Sequence, residues 1–200
     1  MTGVAASIMA AGLSTRFKTD KLEAELGGRP VITWILEAVK KSGITRRSVV
    51  VRRGRLAEIC SKMGFEILIN EKPEEGLSSS IRIAAEWLPR ECSGLLILLG
   101  DQPLISPETI EKLVKEFSRS SGLIVSASID NSPVNPVIFH RSLIDELKKL
   151  RGDIGAKTVI LKHLNVVKTI AVDKRELLDI DTVDSLRLAE RYARELGRLK

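Results

Sequence analysis

Two hundred residues with 44% hydrophobic content suffice for the core of one α/β domain and leave no stretch that reads as low-complexity or disordered. The net charge of +6 favours an anionic partner, but the basic residues are scattered and only 4% of the chain is aromatic, which argues against nucleic acid and for a phosphate-bearing small molecule. Cys60 and Cys92 stand in no metal-ligand spacing and make no disulfide framework; both read as small apolar fillers in a protein of a reducing compartment.

In chain order, the first element is a buried strand over 4–9. No Lys or Arg precedes it and it is too short for a signal peptide, while the apolar run 95–99 cannot span a bilayer. The expectation is a cytoplasmic protein with no membrane partner. The strand runs into Ala10-Ala11-Gly12-Leu13-Ser14-Thr15-Arg16-Phe17, followed by Lys21. Gly12 permits positive φ and close backbone approach, so this turn can aim several N–H groups at one anion, with Arg16 and Lys21 beside them. The stretch reads equally as a β–α turn with solvated basic residues, and it is neither GxxxxGK[ST] nor GxGxxG.

A helix follows from Pro30 at a favourable first position, with Ile32, Ile35, Leu36 and Val39 on one stripe and Lys40 and Lys41 at its negative end. Further strands are expected over 48–51, 66–69, 95–99, 123–127, 137–139 and 166–172, nearly continuous apolar runs of the kind covered on both faces. Ser106-Pro107 opens a helix with Ile110, Leu113, Val114 and Phe117 on one face. Ser142 with Asp145 resembles a capping box, and the last helix starts near Val183. The alternation predicts a Rossmann-like three-layer α/β sandwich, mostly parallel with helices on both faces, as a single domain over 1–200. Ligands then collect beyond the carboxyl ends of strands.

Four turns matter for that reason. Gly100-Asp101-Gln102-Pro103 places a carboxylate after a central strand, suited to Mg²⁺ beside phosphates or to plain exposure in a turn. Glu75-Gly76-Leu77-Ser78-Ser79-Ser80 offers hydroxyls to a base edge or an anion, or simply a helix cap. Asp179-Ile180-Asp181-Thr182 offers a second metal ligand or an N-cap, with both aspartates on one side of an extended segment. Asn135-Pro136 and Gly152-Asp153-Ile154-Gly155-Ala156-Lys157 are ordinary loops by themselves.

Together the pieces MAAGLSTRF…K, GLSSSI, LLGDQPL, NPVIF, GDIGAK and DIDT resemble the nucleotidyltransferases that finish molybdenum cofactor, a nucleotide-diphospho-sugar transferase-like fold. The closest likeness is to the molybdopterin cytidylyltransferase branch, and it spans 8 to about 185. Phe17-Lys18-Thr19-Asp20 depart from the family's pattern, where a glycine often follows the arginine, so Lys18 competes with Lys21 for the phosphate role. The resemblance implies that Ala11, Gly12, Leu13, Ser14 and Arg16 cradle a triphosphate with Lys21 at the α- or β-phosphate. It sets Gly76, Ser78 and Ser79 near the base, and gives Mg²⁺ to Asp101 with Asp181 or Asp179.

The activity implied is transfer of CMP from CTP to the phosphate of molybdopterin with release of pyrophosphate, catalysed by Arg16, Lys21 and Asp101, with a recipient molybdoenzyme as a further partner. A phosphate nucleophile is already anionic, so no catalytic base is needed, and His140 and His163 read as surface residues on helical stretches. The alternatives are a GTP-dependent guanylyltransferase, a same-fold transferase acting on a sugar or other small phosphate, and a non-catalytic cofactor chaperone. Retention of Asp101 and Lys21 argues against the chaperone.

Overall fold

The computed structural model describes residues 3–13, 20–120, 122–152 and 155–199. Its strands are β1 (Gly3–Ala10), β2 (Glu25–Leu26), β3 (Arg29–Pro30), β4 (Arg47–Val51), β5 (Glu66–Ile69), β6 (Cys92–Leu99), β7 (Ile124–Ile129), β8 (Ser132–His140) and β9 (Val167–Ala171). The helices are α1 (Val31–Lys41), α2 (Arg55–Lys62), α3 (Leu77–Trp87), α4 (Pro107–Arg119), α5 (Ile144–Leu147), α6 (Lys157–Lys162) and α7 (Val183–Glu195).

Seven strands form one sheet in the order β5-β4-β1-β6-β8-β7-β9. The pairs β1–β4, β1–β6, β4–β5 and β7–β9 are parallel, whereas β8 runs antiparallel to both β6 and β7. The sheet is therefore mostly parallel, as the sequence predicts, with one strand reversed. That reversal follows from the β7–β8 connection, a tight turn at Asp130 and Asn131, both with positive φ. A turn of that length can join only antiparallel neighbours.

Period-two side-chain alternation divides the core. Ala6 and Ile8 of β1 and Leu96 and Leu98 of β6 pack with α1, α2, α4 and α7 on one face. Ala5 and Met9 of β1 and Leu95 and Ile97 of β6 pack with α3, α5 and α6 on the other. Three layers result. The edge strand β9 is covered least, with Lys168, Thr169 and Ala171 exposed, so the expectation of two covered faces fails there.

Local details correct several expectations. Pro30 is the N-cap of α1, not its first residue, because it still pairs with Glu25 in a two-residue hairpin. The α1 N–H groups of Val31 and Ile32 donate instead to the carbonyls of Ala24 and Leu22, which fastens the segment carrying Lys21 to the helix start. Ser142 and Asp145 form no capping box; the His140 ring accepts from the Ser142 N–H ahead of a short turn. His140 itself ends β8 and is not helical. Cys60 and Cys92 are buried free thiols, and burial pushes Cys60 up to about 12. Among the described residues no helix is long and apolar enough to cross a membrane.

Candidate active site

The site lies where β1 and β6 end side by side. Gly100 N–H donates to the Met9 carbonyl at 2.9 Å, and a Cβ at Gly100 would stand 3.1 Å from that oxygen and 3.2 Å from the Leu22 side chain. A side chain here would therefore have to push its neighbours aside, and the turn delivers Asp101. The C-terminal segment is clamped onto it at two points. Ile180 N–H donates to the Asp101 carbonyl at 2.9 Å, and buried Glu176 accepts from the Ser106 N–H at 2.8 Å. Between the two clamps the chain carries Asp179, and just beyond them Asp181.

Lys21 joins the two acidic turns. Its Nζ donates to Asp101 Oδ2 at 2.6 Å and to Asp181 Oδ1 at 2.9 Å. Burial works to discharge the ammonium, but the charges and hydrogen bonds of Asp101 and Asp181 outweigh it and hold its pKa above the ordinary lysine value. Asp179 behaves oppositely. Burial, reinforced by the Asp101 charge and opposed by a hydrogen bond from Gln102, pushes its carboxyl up to about 6. Asp181 does not cap α7; Thr182 does, with Ser185 completing a reciprocal box.

A cavity of about 420 Å³ opens on this cluster, lined by Ala11, Gly12, Leu13, Lys21, Glu74, Gly76, Ser80 and Asp101 among others. The turn after β1 thus meets the turn before α3. Gly12 lacks positive φ, and a Cβ there would meet nothing within 4 Å, so it is not glycine for reasons of backbone strain. Gly76 does carry positive φ, at 82°, as N-cap of α3. Ser14, Arg16 and Lys18 lie outside the described residues, as does Asp153.

The serines of the α3 turn are turned inward, and none caps the helix. Ser79 Oγ donates to the Gly76 carbonyl, the Asn70 amide donates to Ser79 and Ser80 at 2.8 and 3.0 Å, and Ser78 donates to the Gly152 carbonyl. Of the three, only Ser80 lines the cavity.

A second cavity of about 440 Å³ shares Leu77 and Leu99 with the first. Ile129, Val134, Ile160 and Leu177 form its apolar side, with Gln102, Asn135, Lys157 and Asp179 as its polar wall. Sequence reasoning missed Glu74, Gln102 and the Glu176 clamp. Gln102, next to Asp101 and the chain's only glutamine, was the legible signal; Glu176 gave none.

Two carboxylates reaching one cation are hard oxygen donors, a set that suits a small divalent ion completed by water or phosphate. The described charged groups of the first cavity are Lys21, Asp101 and Glu74, too acidic a set to hold a triphosphate without added positive charge. The arrangement is suited to binding a phosphate chain beside a cation and holding a second molecule across the Leu77–Leu99 wall.

A family model described as "MobA-like NTP transferase domain" matches residues 6–167. A "Probable molybdenum cofactor guanylyltransferase" of Pyrococcus horikoshii is 26% identical over 151 residues, covering 74% of this chain and 73% of that protein. The "Bifunctional protein GlmU" of Caldanaerobacter subterraneus subsp. tengcongensis is 33% identical over 143 residues, covering 70% of this chain but only 30% of that longer protein. The crystal structure of Rv0371c from Mycobacterium tuberculosis superposes with a TM-score of 0.81 at 25% identity, covering 95% and 98% of the two chains. A manganese complex of the same protein superposes at 0.76 and 22% identity, with the same coverage.

Proposed function

The chain belongs to the MobA-like NTP transferase family and is a nucleotidyltransferase, and from that premise we propose that it transfers a nucleoside monophosphate to the terminal phosphate of a molybdopterin-type acceptor. An acceptor phosphate oxygen bonds the α-phosphorus of the triphosphate, the bond from that phosphorus to the β-phosphate bridging oxygen breaks, and pyrophosphate leaves with the electron pair. The observation that carries the reading is Lys21 held between Asp101 and Asp181 in the wall of the first cavity.

In this reading the Ala11–Leu13 backbone and Lys21 hold the triphosphate, while the second cavity takes the acceptor, its apolar walls against a ring and Lys157 near an anionic group. Asp101 and Asp181 hold Mg²⁺ or Mn²⁺, and the manganese complex of the Mycobacterium relative supports a divalent ion. Bound there, the ion would neutralise phosphate charge and favour in-line displacement. No side chain need remove a proton, since the nucleophile is anionic.

For the donor base, the name of the Pyrococcus relative favours GTP over the CTP expected from the sequence. The hydroxyls of Ser78 and Ser79, on which the cytidine expectation leaned, are engaged inside the fold. The DIDT motif keeps CTP as the second reading. Pyrophosphate release measured with each of the four nucleoside triphosphates, with and without molybdopterin, tests both points. GTP-dependent release that requires molybdopterin is expected. Preference for CTP would move the base assignment, and release without any acceptor requirement would refute the acceptor.

A further inference from the structure

We propose that Lys21 occupies the cation position of this site until a divalent ion displaces it, so that metal entry is what frees the Lys21 ammonium to meet the phosphates. The inference rests on the reading of Asp101 and Asp181 as metal ligands. Its basis is that one ammonium reaches Asp101 Oδ2 at 2.6 Å and Asp181 Oδ1 at 2.9 Å, on the two carboxylates that would hold the ion.

Lysine and metal cannot both sit there. The Lys21 and Asp101 side chains are 14% and 22% exposed, so on that side water screens the repulsion between two neighbouring cations poorly, while Asp181, 51% exposed, faces solvent. The lysine also has somewhere to go. It lines the same cavity as Ala11, Gly12 and Leu13, and its flexible four-carbon stem lets the ammonium swing off the carboxylates without the backbone moving. That backbone is fixed by the α1 hydrogen bonds of Leu22 and Ala24.

Two consequences follow. Without metal, Lys21 offsets one of the two carboxylate charges, which leaves a net negative cluster that attracts a cation. With metal, lysine and ion stop competing once phosphate draws the lysine away, so nucleotide and metal each strengthen the binding of the other, reciprocally.

The test is Mn²⁺ binding to the nucleotide-free protein, read as free Mn²⁺ by electron paramagnetic resonance, for the parent, Lys21→Met, Lys21→Gln, Asp101→Asn and the Lys21→Met/Asp101→Asn pair. Removing the competitor is expected to tighten Mn²⁺ binding about tenfold in both lysine variants, with Asp101→Asn weakening it in either background. A parent crystal soaked in Mn²⁺ should show the ion at Asp101 and Asp181 and Lys21 bonded to neither. Equal affinity in parent and lysine variants, or a bound ion with Lys21 still on both carboxylates, overturns the displacement and leaves the metal reading standing. Asp101→Asn without effect in either background overturns the metal reading itself.

Discussion

The cavity beside β1 and the cavity beside β8 are close in volume, about 420 and 440 Å³, and share Leu77 and Leu99 as a common wall, yet they carry different polar groups. The first sets a charged trio among the described residues, Lys21, Glu74 and Asp101, beside the Ala11–Leu13 turn and an apolar wall that includes Met9 and Leu22. The second mixes aliphatic side chains with the amides of Gln102 and Asn135, and its ionisable groups among the described residues are Lys157 and Asp179. Volume alone would make them interchangeable. In the proposed reading the first takes the phosphate chain, because Lys21 and the Ala11–Leu13 turn can donate to it, and the second takes the acceptor. Asp101 borders the first cavity and Asp179 the second, and the Ile180 hydrogen bond to the Asp101 carbonyl ties the two turns together.

The largest effect expected from breaking this division is at Asp101. Asp101→Asn should lower the transfer rate by about 10²–10³-fold with little change in melting temperature, since the side chain adds nothing to the apolar core and an asparagine can still accept from the part-buried Lys21 ammonium. Steady-state kinetics beside thermal melts check it; turnover within about threefold of the parent would remove Asp101 from the chemistry. The neighbouring pair sharpens the contrast. Asp181→Asn should cost far more activity than Asp179→Asn, because Asp181 reaches Lys21 directly whereas Asp179 is paired with Gln102. Thr182 caps α7, so neither change disturbs the helix, and equal small losses would deny Asp181 a part in catalysis.

Lys157→Ala addresses the second cavity alone. It should raise the acceptor KM about tenfold, the worth of one charge-assisted contact, and leave the nucleotide KM unchanged. A shift confined to the nucleotide KM would exchange the two assignments. The smallest change is expected from Gly100→Ala, whose added methyl meets the Met9 carbonyl and Leu22. It should destabilise the fold by about 1–3 kcal/mol, read by urea unfolding, and disturb nucleotide binding more than acceptor binding.

How much of this was readable in the chain depends on whether the cause was local. The run through Leu95, Leu96, Ile97, Leu98 and Leu99 announces a central strand, and Ser106-Pro107 announces α4, whose cap forms as expected when Ser106 accepts from Thr109. Strand direction is not carried by alternation, so the reversal of β8 went unread. The hairpin of β2 and β3 is too short to leave a pattern. The serines of GLSSSI looked like caps because their partner lies outside the helix they open: Asn70, just after β5, draws two of them inward. The lysine–aspartate cluster joins positions 160 residues apart; only the likeness of motifs suggested it, and no spacing rule could. The clamp at Glu176 was invisible for the same reason, since an isolated glutamate in a polar stretch reads as solvated.

The central claim is that a triphosphate in the first cavity is cleaved between its α- and β-phosphates by a phosphate held in the second. Phosphorus-31 NMR of a reaction containing the protein, GTP, a divalent ion and molybdopterin tests it most directly. Pyrophosphate and a new diphosphate-linked nucleotide should appear together in equal amounts, and both about 10²–10³-fold more slowly with Asp101→Asn. Inorganic phosphate with GDP in their place, or pyrophosphate without the linked product, would contradict the claim.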